Sequence, residues 1–185
     1  MSFAISRAEL ESTFGAGDIV TVARDRMNPV VTHEDTARFL SDVGLPNADD
    51  FLFMPDDELG AGMSDARERV PSLDAHLDAP GGADAWTVLG FFWDDFLFVD
   101  GRSGQVWVLN DGLGRTQFAN SGIDLFAAFL AVFHGSLEHL GFDRPVEESK
   151  AAVDNLTVEL RALDPAAFAD PESYWYQVLE RVLSE

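Results

Sequence analysis

Histidines and carboxylates are the residues of this sequence that could do acid–base chemistry or hold a metal ion. Three of them, His134, Glu138 and His139, lie close together in a segment that is predicted to be helical. Residues 134 and 138 are one helical turn apart, but His139 points elsewhere, and the spacing is not the i, i+4 histidine pair of a metalloprotease helix. We therefore expect no metal site and interpret the cluster as a polar helix end, where a protonated histidine is mildly favoured.

Three aspartate doublets could supply paired carboxylates for catalysis or ligands for a cation. They are Asp49-Asp50, Asp56-Asp57 and Asp94-Asp95. Neighbours in sequence point in different directions on a strand or a helix, so a doublet does not form a catalytic pair by itself. None of the three matches the calcium-loop pattern D-x-[DN]-x-[DN]-G. The doublets are therefore better candidates for a charged surface than for a catalytic centre.

Motifs for a nucleophile or a phosphate site are also missing. The sequence contains no cysteine, which excludes a thiolate nucleophile and a zinc–thiolate site. Neither Ser103 nor Ser121 lies in a G-x-S-x-G motif, and the Gly-Leu-Gly turn at 112–114 lacks the Gly and Lys that complete a phosphate-binding loop. The sequence predicts no catalytic set, no cofactor and no enzyme.

The strongest signal in the sequence is its acidity. The 12 Lys and Arg residues stand against 33 Asp and Glu residues, which gives a formal net charge of −21. Such a surface repels phosphate backbones and anionic lipid headgroups, so we expect no nucleic-acid partner and no membrane partner. It attracts basic proteins and speeds their encounter at low salt.

The acidic residues are concentrated in two stretches without basic residues, between Arg38 and Arg67 and between Arg69 and Arg102. Aromatic residues in the second stretch alternate as in strands that contribute to a core, and a stacking surface for bases would need basic neighbours that this stretch lacks. The acidity also has two interpretations that involve no partner. One is a solvated face that only keeps the protein soluble, and the other is the amino-acid usage of the genome or of a salt-loving host.

The middle of the chain predicts an antiparallel meander. Strands are expected at 86–92, 95–99, 105–109 and 115–119, with turns at 101–104 and 111–114. Shorter strands are expected at 18–23 and 51–54. The segment 56–84 has little periodicity and is expected to be long, irregular and mobile, with Val70 and Leu73 able to pin it to the core.

Helices are predicted on both sides of the meander. A capping box, Ser6 with Glu9, begins a helix that ends at Gly15, and Thr32 is expected to cap a helix that ends at Gly44. After the strands, three helices are expected. The first is capped by residues 120–121, the second begins at Pro145, and the third begins at 170–172. The order predicts an α+β fold, a meander sheet with N-terminal helices and three C-terminal helices packed on it.

Length and composition favour one soluble domain. The 185 residues fit a single domain spanning 1–185, and the hydrophobic content of 46% is too high for a disordered chain. No apolar run approaches the roughly 18 residues that span a bilayer, and charged residues near the start do not resemble a signal peptide. We expect a cytoplasmic protein, and its high charge favours a monomer.

The order of several short motifs resembles the SUKH superfamily of bacterial immunity proteins, with its Smi/Knr-like fold, and within it the fourth subgroup. The motifs are Gly44-Leu45-Pro46, Leu89-Gly90, Val99 to Val106 across a hairpin, Phe118-Ala119-Asn120-Ser121 before Phe126 and Leu130, and the segment from Trp175 to Leu179. They cover residues 35–140 and part of the tail. Gly122, where a second serine is expected, and the long acidic segment 56–84 depart from the pattern. The resemblance implies a non-catalytic α+β domain that binds and neutralises a cognate polymorphic toxin, often a nuclease or a nucleic-acid deaminase.

The charge and the resemblance lead to one hypothesis about the site. A toxin that grips nucleic acid needs a basic groove, and an acidic protein is suited to occupy it. We expect the acidic segments 49–58 and 74–100 to form the binding face, with Trp93 as an apolar anchor. The expected contacts are Asp49, Asp50, Asp56, Asp57, Glu58, Trp93, Asp94 and Asp95. Two alternatives stay open: a regulatory or scaffold protein on the same fold, and a small hydrolase that uses His134 and carboxylates.

Overall fold

The computed structural model describes residues 2–48, 52–79, 82–110, 112–140 and 146–184. The first helix, α1 (Arg7–Phe14), begins where the sequence predicts. The Ser6 side chain accepts a hydrogen bond from the Glu9 backbone N–H, and the Glu9 carboxylate accepts one from the Ser6 backbone N–H at 2.8 Å. The predicted capping box and the end at Gly15, which has φ +111°, are confirmed.

The second helix, α2 (Glu34–Asp42), begins one residue later than predicted. Its N-cap is His33, whose Nδ1 accepts a hydrogen bond from the Thr36 backbone N–H at 3.3 Å. Thr32 is not the cap, because its hydroxyl donates to the carbonyl oxygen of Gly101 at 3.5 Å. The backbone N–H groups of Thr32 and His33 donate to the same carbonyl oxygen, at 2.8 and 2.7 Å. These bonds attach the start of α2 to the turn at 101–104.

The described strands form a small sheet and a large one. The predicted strand at 18–23 is reduced to β1 (Ile19–Val20), which pairs with β2 (Leu45–Pro46). The large sheet has the order β3-β4-β5-β6-β7, and all its neighbours are antiparallel. Its strands are β3 (Phe53–Pro55), β4 (Trp86–Phe92), β5 (Asp95–Asp100), β6 (Val106–Asn110) and β7 (Arg115–Asn120). The predicted meander is confirmed, with strand ends within one residue of the prediction.

Helices cover one face of the large sheet. They are α4 (Ile123–Ser136), α5 (Val146–Leu163) and α6 (Tyr174–Ser184), and α1 and α2 contact α4. The core between these layers is rich in aromatic rings: Phe92 of the sheet lies 5.7 Å from Phe133 and 5.6 Å from Trp175, ring centre to ring centre. The antiparallel sheet and the helices that pack on it confirm the α+β fold class. Among the described helices, none is both long and apolar enough to cross a membrane.

The segment 56–84 covers part of the other face of the sheet, which we call the outer face. It contains α3 (Ala66–Arg69) and two 3₁₀ turns, Leu59–Ala61 and Leu73–Ala75. Val70 and Leu73 are buried with sheet residues such as Trp86 and Phe98, so they pin the segment as predicted. Its described residues are a packed cover, in contrast to the mobile segment that the sequence suggests.

The start of α4 differs from the prediction. Gly122 is the N-cap and provides no side chain, whereas residues 120–121 bind elsewhere. The Asp164 carboxylate accepts hydrogen bonds from the Ser121 backbone N–H at 2.8 Å, the Ser121 hydroxyl at 2.9 Å and the Asn120 side chain at 3.3 Å. The Asn120 side chain in turn accepts one from the indole N–H of Trp175 at 3.1 Å. These residues join β7 to the C-terminal helices. The predicted start of α5 at Pro145 lies outside the described residues.

Candidate partner-binding surface

The structure separates the eight predicted contact residues into three groups. Asp57, Glu58 and Asp94 are exposed, and Trp93 is half-buried. Asp56 and Asp95 are buried, with 5% and 6% of their surface exposed. Asp49 and Asp50 lie outside the described residues.

Asp57 and Glu58 lie in a loop at the edge of the large sheet. After β3 the chain leaves the sheet and returns at Ser64, whose carbonyl oxygen accepts the Val88 backbone N–H at 3.0 Å. Buried Leu59 and a hydrogen bond of 2.9 Å from the Ser64 hydroxyl to Glu58 hold the loop together. The excursion therefore presents its acidic residues from a fixed position beside β4.

Asp56 stabilises this loop through two hydrogen bonds. Its Oδ2 accepts a hydrogen bond from the Arg69 Nε at 3.1 Å, and its Oδ1 accepts one from the Glu58 backbone N–H at 3.1 Å. Only 2% of its side chain is exposed. This carboxylate is therefore occupied inside the protein, and its expected contact with a partner stays a prediction.

Trp93 and Asp94 form the two-residue connection between β4 and β5. Trp93 has φ +52°, a conformation that a tight hairpin turn usually assigns to glycine. Its backbone N–H donates to the carbonyl oxygen of Leu52 at 3.0 Å, which ties the turn to the start of β3. The Arg181 guanidinium lies 4.6 Å from the centre of the Trp93 ring and 3.9 Å from the Asp94 carboxylate. The Trp93 ring is thus already packed against a cation of its own chain.

A cleft of about 470 Å³ separates this turn from α6. Its lining includes Trp93, Asp95, Tyr174 and Arg181. Burial raises the pKa of the Tyr174 phenol well above its usual value, and the neighbouring Asp95 carboxylate raises it further. The phenol stays protonated at neutral pH, and the cleft holds no histidine among the described residues that line it. Asp95 is buried at the lining of this cleft, and its expected contact with a partner stays a prediction, as for Asp56.

The β3 edge carries several carboxylates around a second depression. This depression, of about 320 Å³, is lined by Asp56, Asp57, Glu58, Ser64, Glu68 and Arg69. Asp57, Glu58 and Glu68 are exposed, and the single guanidinium is bound to Asp56. The exposed side chains therefore leave an anionic rim at this edge.

Sequence reasoning missed an apolar row on the outer face. The strand register places Met54, Phe91, Phe96 and Leu109 opposite one another across four strands. Met54 is 53% exposed, and the other three are half-buried. Their period-two spacing by itself indicates core residues. The sequence does contain a signal for this row. Successive residues of a strand point to opposite faces, so Phe91 and Phe96 must lie on the face opposite to Phe92 and Leu97.

The three residues of the predicted histidine cluster have different surroundings. The His134 ring packs on Phe14 with ring centres 4.7 Å apart, while Glu138 and His139 are exposed. Within the described ranges there is no group of three or more histidine and carboxylate side chains that could hold a metal ion. The hydrolase alternative gains no geometric support from His134.

Comparison with known proteins connects this geometry to a family. The family model of the SUKH-4 immunity proteins matches residues 5–181. The chain belongs to the SUKH-4 immunity protein family. The match extends the resemblance found in the sequence to almost the whole chain, and it supports an immunity role in which a cognate toxin is the partner. No curated protein and no solved structure gives a significant match.

Proposed function

We propose that this SUKH-4 protein is a non-catalytic immunity protein that neutralises a nuclease or nucleic-acid deaminase toxin by binding it through an acidic surface. The observation that carries the proposal is the exposed carboxylate rim of Asp57, Glu58 and Glu68 at the β3 edge. Asp94 at the neighbouring turn extends this surface, and Asp49 and Asp50 precede β3 in the chain. The protein acts in the cytoplasm as a monomer.

The physical basis is charge complementarity with a nucleic-acid groove. An enzyme that holds nucleic acid neutralises phosphates with Lys and Arg, so its groove is cationic before substrate binds. A carboxylate rim on a protein of net charge −21 is attracted to that groove and raises the rate of encounter. Occupying the groove excludes the substrate without any chemical step.

The test measures association with a defined toxin at several salt concentrations. The probe is a purified nuclease or deaminase domain from the C-terminus of a polymorphic toxin, and a toxin encoded beside this protein's gene would be the first choice. We expect stoichiometric binding and an association rate that falls steeply between about 0.05 and 0.5 M salt, because screening shortens the Debye length to a few Å. Tight binding that is indifferent to salt would refute the electrostatic part of the proposal.

Matched variants locate the effect. A triple variant that neutralises Asp57, Glu58 and Glu68 is compared with one that neutralises Glu148, Asp154 and Glu159, which are exposed on α5. Both remove three charges, so they change the net charge equally. We expect the first to slow association by about tenfold or more and the second to slow it little. If this protein does not bind the toxin but co-purifies with a cellular complex, the result would support the regulatory alternative instead.

A further inference from the structure

We infer that the toxin docks on the outer face of the sheet at the β3–β4–β5 corner, with Met54, Phe91 and Phe96 as the apolar centre of the interface. This inference rests on the proposed function and specifies where the partner binds. The occupant is a basic protein that places an apolar side chain on this row and surrounds it with Lys or Arg. In this inference these three residues take the role of apolar anchor that the sequence suggested for Trp93, because the Trp93 ring packs against the Arg181 guanidinium.

The three residues form a continuous surface that β-sheet geometry fixes. Met54 pairs with Phe91, and Phe91 pairs with Phe96, across three adjacent strands. The two phenylalanine rings lie 4.5 Å apart, and Phe96 stacks on Phe98 with ring centres at 6.2 Å and planes within 8°. Such rings lose little conformational freedom on binding, because the sheet already positions them.

The row is exposed because the described part of the segment 56–84 packs mainly on the neighbouring row of the outer face. The neighbouring row on the same face includes Val88, Phe98 and Trp107, which are buried with Val70 and Leu73 of the covering segment. One row nearer the β4–β5 turn, Phe91 and Phe96 are only half-buried and Met54 is 53% exposed. The outer face therefore ends in a partly open apolar strip beside the loop 56–64.

The strip and the acidic rim touch through Arg69. Its guanidinium lies 6.0 Å from the centre of the Phe91 ring, it is bonded to Asp56, and it lines the same depression as Asp57 and Glu68. The turn that directly follows β4, on the other side of Phe91 along the chain, carries exposed Asp94. An apolar centre with a charged rim is the usual arrangement of a protein interface, in which the centre supplies most of the binding energy.

Charge decides between a basic partner and a second copy of this chain. Two copies that met through this strip would bring their carboxylate rims together, and each copy carries a net charge of −21. Like charges that face each other across an interface oppose association, whereas a cationic partner gains from the same rim. The surface therefore fits a basic protein better than self-association.

The first experiment probes the intact protein, so it does not depend on the folding of a variant. Met54 is the most exposed of the described methionines, since Met27 is half-buried and Met63 is buried. Dilute hydrogen peroxide oxidises exposed methionine to the sulfoxide, with peroxide as the oxidant and water as the other product. We expect the bound toxin domain to slow the oxidation of Met54 about tenfold or more and to leave the oxidation rate of Met27 almost unchanged. Unchanged Met54 oxidation in a saturated complex would overturn the docking site.

The second experiment uses truncation with a matched control. Met54→Ala and Phe96→Ala remove atoms from the strip, and Val158→Ala removes a side chain that is 70% exposed on α5. We expect the strip variants to weaken the Kd on the order of 10- to 30-fold, chiefly through faster dissociation, and the control to bind as the unaltered protein does. Circular dichroism and thermal unfolding verify that each variant is folded.

The outcomes distinguish the inference from the proposed function. If the unaltered protein binds the toxin but Met54 stays reactive and Met54→Ala binds normally, the docking site is wrong and the proposed function stands. If the unaltered protein neither binds nor neutralises the toxin, both fail. If Met54 becomes protected in the free protein as its concentration rises, and sedimentation shows a dimer, the strip binds a second copy and the inference is overturned.

Discussion

Asp56 offers the sharpest test of whether an acidic residue of this protein is structural or available for binding. The change is Asp56→Ala, with Asp57→Ala as the matched neighbour. Asp56 is buried and accepts two hydrogen bonds, whereas Asp57 is exposed one residue later. Both variants remove one negative charge from the same loop, so a difference between them reports the buried contacts.

The size of the effect follows from the two contacts. Removing a charged acceptor from the Glu58 N–H at 3.1 Å costs about 1.5–3 kcal/mol. The ion pair adds only about 0.5–1 kcal/mol, because the Arg69 side chain is 46% exposed and water screens it. We expect Asp56→Ala to lower the free energy of unfolding by roughly 2–4 kcal/mol, which corresponds to roughly 5–15 °C in Tm for a chain of this size. Asp57→Ala should stay within about 0.5 kcal/mol of the unaltered protein.

The assay is equilibrium unfolding in urea, monitored by circular dichroism and tryptophan fluorescence at one pH. Asp56→Asn is an intermediate case, because its amide oxygen still accepts the Glu58 N–H but carries no charge for Arg69. The reasoning is refuted if the Asp56→Ala and Asp57→Ala variants have equal stability. It is also refuted if Asp56→Ala keeps full stability and loses toxin binding, since Asp56 would then be the surface contact that the sequence suggested.

Three further predictions concern other parts of the fold. Asp164→Ala should lower the unfolding free energy in urea by about 3 kcal/mol or more, because it leaves the buried Asn120 amide and the partly buried Ser121 N–H without their charged acceptor; an effect below about 1 kcal/mol would contradict this. The pKa of Tyr174 is raised in the fold, so the folded state holds its proton more tightly and stability should fall as pH rises above about 10. In Tyr174→Phe that decline should flatten, and an unchanged slope between pH 9 and 11 would exclude the tyrosine as its source. Gly90 has φ +151°, and Gly90→Ala would place a Cβ about 2.1 Å from the Met54 carbonyl oxygen. The variant should therefore detach β3 and speed amide hydrogen exchange there. Exchange rates equal to those of the unaltered protein would disprove this prediction.

The meander and the first helix were predictable because their signals are local. The strands from 86 to 120 carry β-rich sequence on both sides of short turns, and these turns fix the pairing within a few residues. The capping box of α1 is likewise complete within four residues. In each case the residues that determine the structure are near neighbours, so no knowledge of distant contacts is needed.

The roles of residues 120–121 were not predictable because their partner is distant in sequence. Asn and Ser before an apolar run are typical of a helix N-cap, and nothing nearby shows that they bind a carboxylate 44 and 43 residues later. The burial of Asp56 and Asp95 has the same cause, since it depends on Arg69 and on the packing of Tyr174. A sequence gives the type and order of carboxylates, but long-range donors decide which of them face solvent.

The apolar row shows a related limit of pattern reasoning. Alternation correctly assigns Phe91 and Phe96 to one face of the sheet, but it does not reveal how far the covering segment extends over that face. The cover is set by where Val70 and Leu73 pack, and these residues belong to a segment with little periodicity of its own. The local alternation of the sequence therefore shows which residues belong to the row, but the exposure of the row depends on tertiary packing.

Charge and apolar surface would have different kinetic roles in the proposed complex. A net charge of −21 acts over distances of about a Debye length, so it governs how often a basic partner arrives and how strongly salt slows that arrival. The Met54 row acts only on contact, so it governs how long the partner stays, and its contribution is nearly independent of salt. Variants of the exposed carboxylates should therefore move the association rate, and variants of the row should move the dissociation rate. In the proposed monomer the same carboxylates would repel other copies of the protein, so the partly exposed apolar row would remain available for a basic partner.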